Sequence, residues 1–225
     1  MYEEQSILVR KPGLVTWLLW VVVTAIGGAL AINVFFFLDL TFFSKRFLND
    51  PFIYSYLAFP YSFVALGQWL LLRRFVRESG WWLLTGVPGC FFFYPYVLIY
   101  GYADEVTGGQ SLILGTPDFW RISLWLALMS CVFGSIVGLV QGLSVIKRYG
   151  VRPLRVLWWV ITTAVAWGVG YPIGEQFVQS IFSSHEPAPF SWMLACLVEG
   201  ATWGTIGMIT GATFIWLGRA KVNDQ

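Results

Sequence analysis

Glu199, in the stretch "CLVEGATWG", places a carboxyl group inside a run of residues otherwise fit for hydrocarbon. A carboxylate at that depth is costly, and acids found there hold a proton, bind a cation or line a pathway often enough to be functional candidates by default. Glu175, in "YPIGEQFV", is a second such acid, set nearer the end of its apolar run, where a side chain reaches water. Two glutamines add a different chemistry: Gln68 in "VALGQWLLLRRF" and Gln141 in "VGLVQGLSVIKRY". A side-chain amide in hydrocarbon needs hydrogen-bond partners, and leaving it without them costs about 2–7 kcal/mol. Two readings stand for the glutamines: hydrogen bonds between packed helices, or a polar lining for a central cavity. Glu199 is protonated through desolvation, hydrogen-bonded to a neighbour such as Ser130, or open to water, and its candidate role is a ligand, proton or cation site.

Other chemistries lack their residues. His185, the single histidine, sits in the turn "SSHEPAP", so a histidine metal cluster, a haem pair or a serine/histidine triad cannot be assembled. No glycine-rich phosphate loop is present, and no nucleophile and base occur together. The chain is therefore not expected to be an enzyme, and no cofactor or metal is expected. Basic residues such as Arg73, Arg74, Lys147 and Arg148 set topology and meet anionic headgroups; nucleic acid is not an expected partner.

The elements that must carry these groups follow from composition. Hydrophobic residues make up 57% of the 225, charged residues only 12%, and mean hydropathy is +0.68, against about 25% charged in soluble domains. That balance predicts an all-α integral membrane protein with its residues in one domain, 1–225. Apolar runs near 14–38, 52–72, 81–102, 122–146, 154–178 and 190–217 give six transmembrane helices of roughly 20 residues each. Soluble helices are excluded because too few polar residues remain to cover them, and a membrane barrel because no alternation of period two is present. The start "MYEEQSILVRKPG" lacks a signal-peptide pattern, so the first span is expected to be retained. Cys90, Cys131 and Cys196 all lie in apolar runs and read as reduced packing residues.

Charge gives the direction. Arg10, Lys11, Arg73, Arg74, Arg77, Lys147, Arg148, Arg152, Arg155, Arg219 and Lys221 fall on one side of the six spans; Lys45, Arg46 and Arg121 fall on the other. The positive-inside bias then puts both termini in the cytoplasm. Trp17, Trp20, Trp69, Trp81, Trp82, Trp158, Trp159 and Trp216 lie near the same ends and are expected to form an interfacial belt.

An internal repeat underlies the spans. With Gln68, Gln141 and Thr210 in register, the residues three before are Ala65, Gly138 and Gly207, and those six before are Ser62, Ser135 and Gly204. In the preceding helices Trp20, Trp81 and Trp158 align, followed by Thr24, Thr85 and Thr162. Three helical hairpins of parallel topology, near 14–74, 81–148 and 154–218, would form a pseudo-threefold bundle whose axis follows the membrane normal. Small residues at these spacings let membrane helices approach closely.

The run of small residues into "GQWLLLRR", with the upstream pairs in "GWWLL" and "VLWWVITT", resembles a group of uncharacterised bacterial six-helix membrane proteins built from such hairpins. The resemblance covers most of the chain, implies a bacterial inner membrane or an internal photosynthetic membrane, and imports no activity. Mitochondrial-type carriers share the threefold hairpin plan, but their proline-x-acid-x-x-base motif is missing from every odd helix.

Pro172, between Gly170 and Gly174, is expected to kink or end the fifth helix near Glu175; Pro60, Pro88 and Pro95 interrupt the second and third. The longest connection, "GYADEVTGGQSLILGTPDFWR", carries Asp104, Glu105 and Asp118 and is placed to cap the bundle or meet a partner. The expected partners are the lipid bilayer together with other membrane-protein subunits or further copies of this chain. The expected function is a noncatalytic structural, assembly or accessory subunit of a membrane complex. The alternative is a small-solute or ion transporter or channel, with Gln68, Gln141 and Thr210 lining a pseudo-threefold pathway and Glu199 as its proton or cation site.

Overall fold

The computed structural model describes residues 12–42, 59–76, 79–86, 117–144, 153–184 and 189–220. Helix α1 spans Leu14–Phe42, α2 Phe59–Leu72, α3 Pro117–Ser144, α4 Pro153–Ser184 and α5 Pro189–Ala220, with a short 3-10 helix at Ser79–Thr85 between α2 and α3. Every regular element among the described residues is helical. The expected runs 14–38, 122–146, 154–178 and 190–217 reappear as α1, α3, α4 and α5. The run 52–72 is helical from Phe59, and of 81–102 only residues 81–86 are described. Cys90, Pro88, Pro95, Asp104, Glu105 and His185 lie outside the described residues.

Local signals explain the boundaries. Proline opens α3, α4 and α5 and is the second residue of α2, positions whose backbone N–H is not needed by the helix. At the start of α1 the Gly13 amide donates to Thr16 Oγ at 3.3 Å, half of a capping box. After Leu72 the chain tightens: the Arg74 and Phe75 amides bond to the carbonyls of Leu71 and Leu72, three residues back. Pro172 does not end α4, which continues through it to Ser184. Neighbouring helices support the interrupted turn where a free helix would break.

Neighbours follow chain order and close on themselves. Helix α1 packs on α2, α2 on the 3-10 segment, that segment on α3, α3 on α4, α4 on α5, and α5 returns to α1. Glycine sets the spacing at the closest approaches. A Cβ at Gly27 would stand 2.8 Å from Val64 Cα on α2, and one at Gly134 would stand 2.7 Å from the Thr163 carbonyl oxygen on α4.

The outside of the helices is apolar, unlike that of a soluble protein, and several polar residues lie within. Leu18, Val22, Ile26 and Leu30 form an exposed stripe on α1, as do Leu124, Leu128, Val132, Ile136, Leu139 and Leu143 on α3 and Leu157, Ile161, Val165, Val169 and Ile173 on α4. Thr24, Gln68, Ser130, Gln141, Thr163, Glu199, Thr202 and Thr210 are buried. Apolar stripes of that extent are unstable in water and suited to lipid. Among the described residues, three segments are long and apolar enough to cross a membrane: Leu14–Ala31, Ser123–Leu143 and Pro153–Gly174. Helix α5 is of similar length, at 32 residues.

Two buried clusters stack along the bundle. One gathers Trp20, Leu72, Val76, Trp82, Trp159, Phe214 and Leu217, where α1 and α4 begin and α2 and α5 end. The other gathers Val64, Leu126, Phe133, Val137, Ala166, Trp167, Trp203 and Ile206 farther along.

Candidate functional site

Trp20, Trp82 and Trp159 are buried to within 1% of complete and meet edge to face, with ring centroids 5.5 Å apart for Trp20–Trp82 and 6.0 Å for Trp82–Trp159. Phe214 stacks on Trp20 at 5.3 Å. These three tryptophans are thus not interfacial anchors, which corrects the expectation for them. Trp81, Trp158 and Trp216 remain about half exposed on the outside. The buried set also differs by one residue from the alignment of Trp20 with Trp81 and Trp158. In each adjacent pair the second indole, not the first, points inward.

Each buried indole has a polar partner on a neighbouring helix. Trp82 Nε1 donates to Gln68 Oε1 at 3.1 Å, Trp159 Nε1 donates to Gln141 Oε1 at 3.1 Å, and Trp20 Nε1 donates to Thr210 Oγ at 3.2 Å. An indole N–H only donates, so each glutamine must turn its oxygen toward the ring, which fixes the amide orientation. Gln68 is held at its other end as well, its Nε2 donating to Thr24 Oγ at 3.0 Å. The threonine hydroxyls give their own protons to carbonyls one turn back: Thr24 to Trp20, Thr163 to Trp159 and Thr210 to Ile206. In hydrocarbon that local bond satisfies the hydroxyl without breaking the helix.

The chain matches no family model, no curated protein and no solved structure. Its function is therefore argued from its own residues.

A cavity of about 40 Å³ lies between the two aromatic layers. Trp20 and Trp159 border it on one side, Trp167 and Trp203 on the other, and Gln68, Thr85, Gln141, Thr163 and Thr210 supply its polar atoms. The structure thus brings Gln68, Gln141 and Thr210 to one cavity. Small residues bring the helices close around it: a Cβ at Gly207 would stand 2.9 Å from Thr24 Cβ, and one at Gly138 would stand 3.0 Å from Thr163 Cβ.

Glu199 is not among the residues lining this cavity. It is buried on α5, eleven residues before Thr210, which is about 16 Å along a helix axis. Of the alternatives for Glu199, a bond to Ser130 is not formed, since Ser130 Oγ is buried without a hydrogen-bond partner. Glu175 falls within α4, and its side chain lies outside the described residues. Cys131 and Cys196 are free thiols, and the Asn33 amide nitrogen lies 2.9 Å from Cys196 Sγ, tying α1 to α5. Among the described residues, no three histidine, cysteine, aspartate or glutamate side chains gather as a metal group would require.

The tryptophan partners of Gln68 and Gln141 were not evident from sequence. Aligning Trp81 and Trp158 with Trp20 puts threonine four residues later each time, at 24, 85 and 162. Aligning Trp82 and Trp159 gives Thr24, Gly86 and Thr163, a poorer match in identity but the one whose side chains point inward. The usable signal was phase: Trp159 and Thr163 share a face with Ala166 and Trp167, whereas Trp158 shares one with Ile161 and Val165.

Proposed function

We propose that the chain is a six-helix membrane bundle of three parallel hairpins that serves as a noncatalytic structural, assembly or accessory subunit of a membrane complex. The observation that carries this reading is the use of the buried polar groups on one another. Gln68, Gln141 and Thr210 each accept an indole N–H from the helix beside them, which makes them hydrogen-bonding glue between helices. The three bonds run in the same sense around the bundle, as expected of a pseudo-threefold repeat. Both termini face the cytoplasm in this arrangement, following the asymmetry of lysine and arginine. The exposed apolar stripes on α1, α3 and α4 offer surface to lipid and to neighbouring membrane helices alike.

A second reading, a small-solute or ion pathway, draws on one observation: Gln68, Gln141 and Thr210 share a cavity, with Glu199 buried farther along α5. At about 40 Å³ the cavity is smaller than a solute site, which commonly measures about 300–1,000 Å³. Native purification in mild detergent followed by mass spectrometry separates the two readings. Stoichiometric membrane-protein partners are expected. A clean monomer whose melting temperature responds to a specific solute would overturn the subunit reading.

A further inference from the structure

Gln68 and Gln141 occupy matching places, yet their bonding differs at one end. Both turn Oε1 to a tryptophan. Gln68 Nε2 then meets Thr24 Oγ, whereas Gln141 Nε2 has no protein partner among the described residues. Gln141 is 6% exposed, and its amide borders the central cavity. The cause of the difference lies in the sequence. Thr24 follows Trp20 by four residues and stands against Gly207 on α5; the residue that follows Trp82 by four is Gly86, standing against Ala65 on α2. Gly86 has no hydroxyl to offer where Thr24 supplies one.

We infer that the cavity beside Gln141 is a built site for ordered water, which takes the place of the missing hydroxyl. The lining chemistry selects such an occupant. Gln141 Nε2 presents two N–H donors, so the occupant must accept. Thr85 Oγ and Thr163 Oγ have already donated their protons, to the carbonyls of Trp82 at 2.6 Å and Trp159 at 2.8 Å, so toward the cavity they offer lone pairs and the occupant must also donate. Water does both. The volume of about 40 Å³ holds roughly three water molecules, since each needs about 10–15 Å³. The apolar walls Val64, Val137 and Ile206 leave few other directions for hydrogen bonding, so the water is held at fixed points.

The test compares the two glutamines in the full-length protein in detergent micelles. Side-chain amides are labelled with nitrogen-15, assigned with Gln68→Met and Gln141→Met, and followed by water-exchange NMR. The Gln141 side-chain N–H signals are expected to show a cross-peak to long-lived water and to exchange roughly tenfold faster than those of Gln68. Equal protection of the two amides, with no water cross-peak at Gln141, would overturn the assignment. Gly86→Ser supplies a hydroxyl where Thr24 stands in the first hairpin; a Cβ there meets Ser62 Oγ at 3.4 Å and Ala65 Cβ at 3.8 Å, ordinary contacts. Loss of the water cross-peak together with a higher melting temperature is expected of this variant, and a persisting cross-peak counts against the site. Should Gly86→Ser not fold, the comparison of the two amides in the unmodified chain decides alone.

Discussion

Replacing Trp82 by phenylalanine removes one N–H and part of the ring from the centre of the bundle, which makes it, within a double-mutant cycle, a probe of the Gln68 bond. Trp82 is fully buried, so the substitution leaves Gln68 Oε1 in place with its donor gone while the Thr24 bond at the other end persists. Two effects add. A buried acceptor stripped of its partner costs about 1–3 kcal/mol, and the smaller ring reduces contact with Trp20 and Trp159 at 5.5 and 6.0 Å, where each aromatic pair contributes about 0.5–1.5 kcal/mol. Trp82→Phe is therefore expected to destabilise by about 2–4 kcal/mol. Gln68→Leu, close in volume, removes the amide instead. In the double variant the unpaired acceptor no longer exists, so the combined loss is smaller than the sum of the two singles. The coupling isolates the hydrogen bond and should be about 0.6–1.7 kcal/mol, the range measured between membrane helices. Reversible unfolding in mixed detergent micelles gives all four corners of the cycle. Trp158→Phe, at a half-exposed ring, serves as the control and should change stability by less than about 0.5 kcal/mol. A coupling indistinguishable from zero, or a Trp82→Phe loss no larger than that control, would refute the account of the glutamines as glue.

Gly134→Leu should cost about 3 kcal/mol in the same unfolding assay, because even a Cβ at that position stands 2.7 Å from the Thr163 carbonyl oxygen; a leucine accepted without loss would mean that α3 and α4 are not in close contact. Ser130→Ala is expected to be neutral or to stabilise by up to about 1 kcal/mol, since the buried Ser130 Oγ has no partner to lose, and a loss beyond that would show a bond at this hydroxyl. Glu199→Gln keeps the shape of the side chain and should leave both fold and copurifying partners unchanged; proton or cation flux in proteoliposomes from the unmodified chain, absent from the variant, would transfer the assignment to the pathway reading.

Helical class and the position of α1, α3, α4 and α5 were legible in the sequence because long apolar runs leave the backbone little choice in hydrocarbon. The convergence of Gln68, Gln141 and Thr210 on one cavity was also foreshadowed, since small residues three and six positions earlier mark the packed face. The tryptophans were harder. Composition near a helix end favours the same residue as an interfacial anchor and as a buried donor, and only one position of helical phase separates Trp158 from Trp159. At Pro172, expected to kink or end the helix, the ending does not occur: the sequence shows the missing N–H but not the neighbouring helix, with Gly170 close to Ile206 and Gly174 close to Thr202, that packs against α4 there. Ser130 and Glu199 share a register across hairpins, and register says nothing about whether side chains turn toward each other.

The bond that joins Trp20 to Thr210 spans 190 residues, whereas those of Gln68 and Gln141 span 14 and 18. That disparity sets an order of events during synthesis. The two short links form as soon as consecutive segments have entered the bilayer, but the indole of Trp20, delivered among the first residues, waits until the last helix emerges from the ribosome. Until then the seam between α1 and α2 on one side and α4 on the other stays open, with Gly28 and Thr24 exposed where Trp203 and Gly207 will later sit. A chain cut before α5 would therefore lack the partners of Thr24 and Gly28, namely Gly207 and Trp203, and the acceptor of the Trp20 indole.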